Sequence, residues 1–319
     1  MIVGGHYYRN FDVLFHTRYH FKEADYSALI IEKSIINMAL LIIIIYYGFP
    51  KSSYRKELTM DKNPKLSSYI GHHADLYDLF YADKPYSDEA NFVHSCLVKH
   101  SSRPVENILE LGCGTGTHSL FLEKLGYKII ATDYSNEMLL QAMHKAKEVN
   151  SNNIFRQQDM CSLDIPERPL DAIICLSYSI CYATTNESFG RVINGAYSHL
   201  RPGGLFIFEF WNAAAMVSNY DPLRIKRCRI DDGEVIRISE AQIDYRSQLY
   251  KVDYSIYEHK KNGTFNYLSE TQINRYFSLQ EMSLFLTNAG FKPIKWFAGY
   301  KEDERITNET WNILCIAQS

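Results

Sequence analysis

None of the seven cysteines of this 319-residue chain stands in a Cys-x-x-Cys pair. Cys96, Cys113, Cys161, Cys175, Cys181, Cys228 and Cys315 sit mostly within apolar runs and read as buried thiols, so neither a zinc site nor a disulfide framework organises the chain. Blocks of Lys and Arg interleaved with aromatics are missing as well. With a net charge of −3 there is no broad attraction for phosphate backbones, which argues against nucleic acid as a partner. Internal repeats are absent, and an isoleucine-rich run at 35–49 is the one biased tract. That run falls short of the ~20 apolar residues that comfortably span a bilayer. The region before it is long, carries acidic residues and lacks a small-residue cleavage site, so it makes a poor signal peptide. Membrane contact is therefore expected, if anywhere, only through residues 35–49. Residues 1–59 are expected to form an extension outside the fold, with Met60 as the physiological start and a cytoplasmic location.

What is present is core-forming: 46% of the residues are hydrophobic, enough to bury one large or two small domains. The richest stretch is Ile108-Leu-Glu-Leu-Gly-Cys-Gly-Thr-Gly-Thr-His118. It joins a buried-strand pattern to a loop whose glycines, Gly112, Gly114 and Gly116, let backbone approach a ligand closely. The next apolar run, Tyr127–Thr132, ends at Asp133, about twenty residues after Gly112, where a doubly wound sheet places its ribose-binding carboxylate. A dinucleotide site would need Gly-x-Gly-x-x-Gly to seat a pyrophosphate on the following helix. Thr117 occupies the position of that last glycine.

Helical segments are expected over 69–100, with Leu76, Leu79 and Phe80 on one face packing over the sheet. Strands follow at 107–111, 127–132, 154–158, 170–176 and 205–210. Between them come helices at 117–125, from the Ser135 cap to about 150, and at 186–200, the last stopped by Pro202-Gly203-Gly204. Such alternation predicts a parallel sheet covered on both faces. Next, residues 248–259, an Asn262-Gly263 turn and an odd-numbered face through Phe265, Tyr267 and Ile273 predict a long antiparallel hairpin. Ser278-x-x-Glu281 is a capping box for a helix ending at Gly290, and strands at 291–298 and 312–317 close the chain. The expected fold is α/β: a doubly wound, mostly parallel, seven-stranded Rossmann-like sheet with an antiparallel insertion. Its parts would be lid helices at 69–100, a donor-binding half at 105–212, the insertion at 213–277, and a terminal helix and strands at 278–319, all within a domain of residues 60–319.

Glu110-x-Gly112-x-Gly114-x-Gly116, Asp133 and the segments after the third and fourth strands resemble, in order and spacing, the class I S-adenosylmethionine-dependent methyltransferases over residues 69–319. The resemblance implies the cofactor, S-adenosyl-L-methionine, and the roles. Glu110 and Gly112–Gly116, with Cys113, would hold the methionine part, and Asp133 the ribose hydroxyls with Tyr134 beside it. Asp159 and Met160 would bind adenine, Leu176 would lead the segment beneath the transferred methyl, and Tyr77 would close over the donor from the lid. A narrower similarity, carried by Ala74–Tyr81, Tyr86, the Cys113–His118 loop and the late insertion, is to N-methyltransferases that dimethylate amino groups of nucleotide-linked deoxysugars. Those enzymes often read Ser-Ile-Gly followed by His or Tyr after the fourth strand, whereas this chain has Ser179-Ile-Cys181-Tyr182.

Methyl transfer from a sulfonium is an in-line displacement, so alignment supplies most of the acceleration and a base is needed only for the acceptor's proton. Tyr81 and Tyr182 are the candidate catalytic residues. A phenol with an ordinary pKa near 10 is a poor base at neutral pH, so orienting hydrogen bonds are expected of them. No metal is expected, because His72 and His73 point to different faces of a helix and lack neighbouring donors. His118 is expected as a polar residue on the surface or behind the site, Glu209 and Trp211 near the acceptor, and Arg275 in a cross-strand ion pair. The expected acceptor is a small molecule, preferably an amine of an amino sugar. Lack of an Asn/Asp-Pro-Pro-Tyr run after the fourth strand argues against a nucleobase. O- or C-methylation of a metabolite or lipid quinone is the second reading, and a donor-binding scaffold without turnover the third.

Overall fold

In the computed structural model the described residues are 69 and 71–319. The expectations for residues 1–59, the run at 35–49 and the start at Met60 lie outside them. Among the described residues no helix is long and apolar enough to cross a membrane.

The apolar runs form the strands of a seven-stranded sheet. β1 (Asn107–Leu111), β2 (Lys128–Asp133), β3 (Ile154–Gln157), β4 (Leu170–Cys175) and β5 (Leu200–Trp211) pair in parallel, and β11 (Asn312–Gln318) joins β5 antiparallel with β10 (Lys292–Ala298) outside it. The order is β10-β11-β5-β4-β1-β2-β3. The order of strands along the sheet reverses between β1 and β4, which run parallel, and the crevice beyond the carboxyl ends at that switch point is where such sheets bind ligands. Alternate side chains feed two cores. On β5, Leu205 and Ile207 pack with α3 (Tyr86–His100), α4 (Thr117–Lys124) and α5 (Asn136–Glu148), while Phe206, Phe208 and Phe210 pack with α6 (Asn186–His199) and α8 (Leu279–Asn288). Each of these fully buried side chains stabilises the fold by about 1.5–3 kcal/mol.

Two sequence expectations need correction. β5 begins at Leu200, so Pro202-Gly203-Gly204 lies inside the strand rather than before it. The register against β4 slips between Leu170 and Ala172, so the run is absorbed as a bulge, with Gly203 at φ +78° and its amide donating to Ser319 O. The insertion is not a lone hairpin either. β8 (Leu249–Lys260) and β9 (Phe265–Arg275) form the expected hairpin, but β6 (Leu223–Ile230) and β7 (Gly233–Asp244) extend it to a four-stranded antiparallel sheet. β6 inverts the usual polarity: Ile225 is exposed, while Lys226 points inward beside its cross-strand partner Arg237, which shares the inner face of β7 with buried Val235. A short helix, α7 (Ala213–Asn219), leads into this sheet.

The leading helices also land elsewhere than expected. α1 (His72–Asp75) and α2 (Tyr77–Phe80) bury Leu76 and Phe80 against Val235 and Ile256 of the smaller sheet, and α3 is the helix that covers the large one.

Candidate active site

The glycine loop is shaped by its neighbours. Gly112, Gly114 and Gly116 all have φ between +57° and +72°, and a Cβ on Gly112 would meet Ser179 Cβ at 2.5 Å. Only glycine relaxes into that backbone and that space. The Gly114 amide donates to Asp133 Oδ2 (2.8 Å) and the Ser135 amide to Asp133 Oδ1 (2.8 Å), which clips the loop to the end of β2. One strand inward, Glu110 is buried and accepts from Ser119 Oγ. Burial pushes its carboxyl up to about 7 against the pull of Ser119 and Lys84, and burial likewise raises Asp133 despite its amide donors. Two buried carboxyl groups whose pKa values burial raises thus line the end of the sheet, where a cation would favour their ionised forms.

Asp159 caps the turn Met160–Ser162, with Oδ1 accepting from the Cys161 amide (2.8 Å). Glu110, Gly112–Gly116, Asp133, Asp159 and Met160 converge at the carboxyl ends of β1 to β3. Other expected residues bring no side chain there. Cys113 and Leu176 pack into the core, and Tyr134 is about half exposed, with its carbonyl accepting from Gln157. Cys181, where the similar enzymes carry glycine, is fully buried in the other core.

Over the loop lies the lid. Thr115 Oγ1 donates to Asp78 Oδ1 (2.7 Å), and Lys145 Nζ reaches both Thr115 Oγ1 (2.8 Å) and Asp78 Oδ2 (2.9 Å). The rings of Tyr77 and Tyr81 lie tilted with centroids 4.6 Å apart, and the buried Tyr86 hydroxyl sits beside that of Tyr77. Lys84 Nζ donates to Ser177 Oγ and pairs with Glu89, which also takes His118 Nε2 (2.6 Å). His118 is therefore buried, not at the surface, and burial lowers its imidazole below the ordinary value. Glu209 holds this floor: it accepts from the Ser177 amide (2.6 Å), Tyr300 Oη (2.7 Å) and Asn312 Nδ2 (3.3 Å). Ser177 and Tyr178, at φ +53° and +64°, are strained non-glycine positions at the same spot, with Tyr178 against Trp211.

On the acceptor side, Tyr182 ends a turn whose Ser179 Oγ donates to Gly112 O (3.0 Å). Tyr182 Oη donates to Gln272 Oε1 (3.0 Å), Gln272 Nε2 donates to Glu270 Oε1 (2.7 Å), and Glu270 also receives the Tyr69 amide (2.9 Å) and His73 Nδ1 (2.8 Å). His72 turns instead to Glu258 (3.2 Å). The hydroxyls of Tyr69, Tyr77, Tyr81, Tyr182 and Tyr254 lie near enough to act on one another, and burial raises Tyr182 well above an ordinary phenol. Glu270, Gln272, Tyr254, Lys84 and Arg237 were not singled out from sequence, since none belongs to a motif. Arg275 pairs with Glu281 of α8 and stacks on Phe277 at 4.8 Å, so its ion pair runs to a helix and not across strands.

Comparison with known proteins accords with this geometry. The family model described as "Methyltransferase domain" matches residues 108–204. A dTDP-3-amino-3,4,6-trideoxy-alpha-D-glucopyranose N,N-dimethyltransferase of Streptomyces venezuelae is 30% identical over 141 residues, 44% of this chain and 57% of its own length. A dTDP-4-amino-2,3,4,6-tetradeoxy-D-glucose N,N-dimethyltransferase of Saccharopolyspora spinosa is 26% identical over 71% of this chain and 88% of its own. The chain is an S-adenosylmethionine-dependent methyltransferase. In fold, this methyltransferase is similar to the crystal structure of an S-adenosylmethionine-dependent methyltransferase from Clostridium acetobutylicum, at TM-score 0.68 and 22% identity over 77% of this chain and 97% of that one. Its cofactor is S-adenosyl-L-methionine.

Proposed function

We propose that this methyltransferase transfers the methyl group to the amine of a small acceptor, with a sugar amine preferred. The observation carrying this reading is the tyrosine cluster of Tyr81, Tyr182 and Tyr254, set between the lid and the smaller sheet beside the turn that packs on Gly112. Phenol hydroxyls there donate to and accept from a neutral amine and its ring hydroxyls, and their π-faces accommodate the cation that methylation generates. The two amino-sugar N,N-dimethyltransferases among the relatives support the preference.

Within the site, Asp133 would hold the ribose hydroxyls, Asp159 and Met160 the adenine, and Glu110 and the Gly112–Gly116 loop, with Tyr77 from the lid, the methionine portion. The cofactor supplies the electrophilic methyl. Tyr81 and Tyr182 orient the acceptor nitrogen along the displacement axis. Tyr182, whose phenol burial holds protonated, orients rather than abstracts.

The test is turnover by the full chain with donor and a panel of amino-sugar, hydroxyl and carbon acceptors. S-adenosylhomocysteine release with the new methyl on nitrogen, read by mass spectrometry, is the expected result. Methylation on oxygen or carbon alone would replace this reading, and donor binding without release would make the chain a scaffold.

A further inference from the structure

We infer that Glu270 is a positioning residue for methyl transfer: through Gln272 it turns the Tyr182 hydroxyl proton away from the acceptor, so that Tyr182 meets the acceptor amine only as a hydrogen-bond acceptor. This rests on the amine-methyltransferase reading above and specifies how that site orients its nucleophile. Glu270 and Gln272 stand two residues apart on β9, so their side chains share the face of the smaller sheet that turns toward Tyr182. Gln272 is only 2% exposed, at an inward position that an antiparallel strand ordinarily gives to an apolar side chain. A buried amide is costly unless both its ends are hydrogen-bonded. Here both are: Nε2 donates to Glu270 Oε1 (2.7 Å), and Oε1 accepts from Tyr182 Oη (3.0 Å).

The direction of these bonds is forced from the Glu270 end. An ionised carboxylate only accepts. Burial disfavours that form, but the donors His73 Nδ1 (2.8 Å), Gln272 Nε2 and the Tyr69 amide (2.9 Å) outweigh it and hold the Glu270 carboxyl below its ordinary value. Gln272 must therefore turn its NH2 group toward Glu270 and its carbonyl toward Tyr182. Facing a carbonyl, a phenol has one role, that of donor. The single hydroxyl proton of Tyr182 is thus committed to Gln272, and burial keeps it in place by raising the phenol well above its ordinary value. Only lone pairs remain for the acceptor. An amine that gives an N–H to Tyr182 keeps its own lone pair free to attack the methyl group, whereas a hydroxyl proton aimed at nitrogen would occupy the pair that must form the new bond.

Glu270→Gln keeps the shape and removes the compulsion, because a second amide lets Gln272 turn over and donate to Tyr182, which frees the hydroxyl proton to point at the acceptor. With the full chain, S-adenosylmethionine and the amine acceptors of the panel above, Glu270→Gln should lower kcat about tenfold or more. Once Tyr182→Phe has removed the hydroxyl, the same substitution should cost less than about twofold, and Glu270→Asp, which still only accepts, should retain most of the parent kcat. A Glu270 that merely braces the sheet, or acts by its charge alone, lowers kcat by the same factor with and without the Tyr182 hydroxyl. That result overturns the inference, as does an unchanged kcat in Glu270→Gln. Neutron diffraction from a deuterium-exchanged crystal of the parent chain with S-adenosylhomocysteine reads the same polarity without turnover. The Tyr182 deuteron should lie toward Gln272 Oε1, with the deuterated amide facing Glu270, and a deuteron directed instead into the acceptor site overturns the inference. Failure of every amine to yield S-adenosylhomocysteine would overturn the amine reading, and the neutron map would still decide Glu270. The same map decides it if Glu270→Gln does not fold.

Discussion

The amide of Gly114 donates to Asp133 Oδ2 at 2.8 Å, so the glycine loop and the carboxylate at the end of β2 form one hydrogen-bonded unit. Asp133→Ala removes that clip together with the acceptor for the Ser135 amide. We expect S-adenosylmethionine binding to weaken tenfold or more, on the order of 1.5–3 kcal/mol for charge-assisted bonds. Calorimetry of the variant checks this, and an unchanged affinity would remove Asp133 from the site.

Two glycines with similar backbones should respond differently to alanine. Gly126, at φ +98°, has nothing within 4 Å of an added Cβ, so Gly126→Ala costs about 1–2 kcal/mol for the left-handed backbone alone. Gly112, at φ +66°, would drive its Cβ into Ser179. Crowding there adds about 1–3 kcal/mol. Thermal melts should rank Gly112→Ala well below Gly126→Ala, with donor affinity lost only in the former; equal melting temperatures would contradict the packing described.

The raised Glu110 carboxyl predicts a pH slope of definite sign. Its folded value, about 7, lies above the ordinary 4.5, so between those values the folded chain binds the proton more tightly than the unfolded chain. Stability from this group is present at the acid end and falls as pH rises through the window, by at most on the order of 3 kcal/mol. Glu110→Gln should flatten that part of the stability–pH curve in urea melts. A slope of opposite sign, or one shared by both proteins, would show that Glu110 is not the group responsible.

For Tyr182, loss of the hydroxyl costs an orienting bond rather than a base. Tyr182→Phe should lower kcat/KM by no more than about tenfold. The limbs of the pH–rate profile should stay in place. Displacement of a limb in the variant would give Tyr182 a proton-transfer role.

The sheet was legible where its chemistry is monotonous. Ile108, Leu109, Ile173 and Ile174 are buried on both faces of a parallel layer, which leaves a continuous apolar run that sequence periodicity reads directly. The Gly112–Gly116 loop and Asp133 were legible because close backbone approach and a ribose carboxylate admit few residue types. β6 and β7 escaped notice because Lys226 and Arg237 occupy inward positions that ordinary strands give to apolar residues. The acceptor wall was illegible for a related reason. Tyr254, Glu270 and Gln272 come from one accessory sheet, Tyr69 and Tyr81 from the leading helices, and only the folded chain brings them together.

Glu270 binds the Tyr69 amide and His73 on one side and, through Gln272, Tyr182 on the other, so one hydrogen-bonded chain ties the leading helices and the smaller sheet to the turn after β4 at the proposed acceptor site. Evolution or an engineer seeking a new specificity here inherits a constraint: transplanting the accessory sheet without the helices that rest on it would separate partners selected together. Chimeras that exchange both segments as one cassette should keep a closed pocket, whereas those that exchange either alone should turn over poorly whatever acceptor is offered.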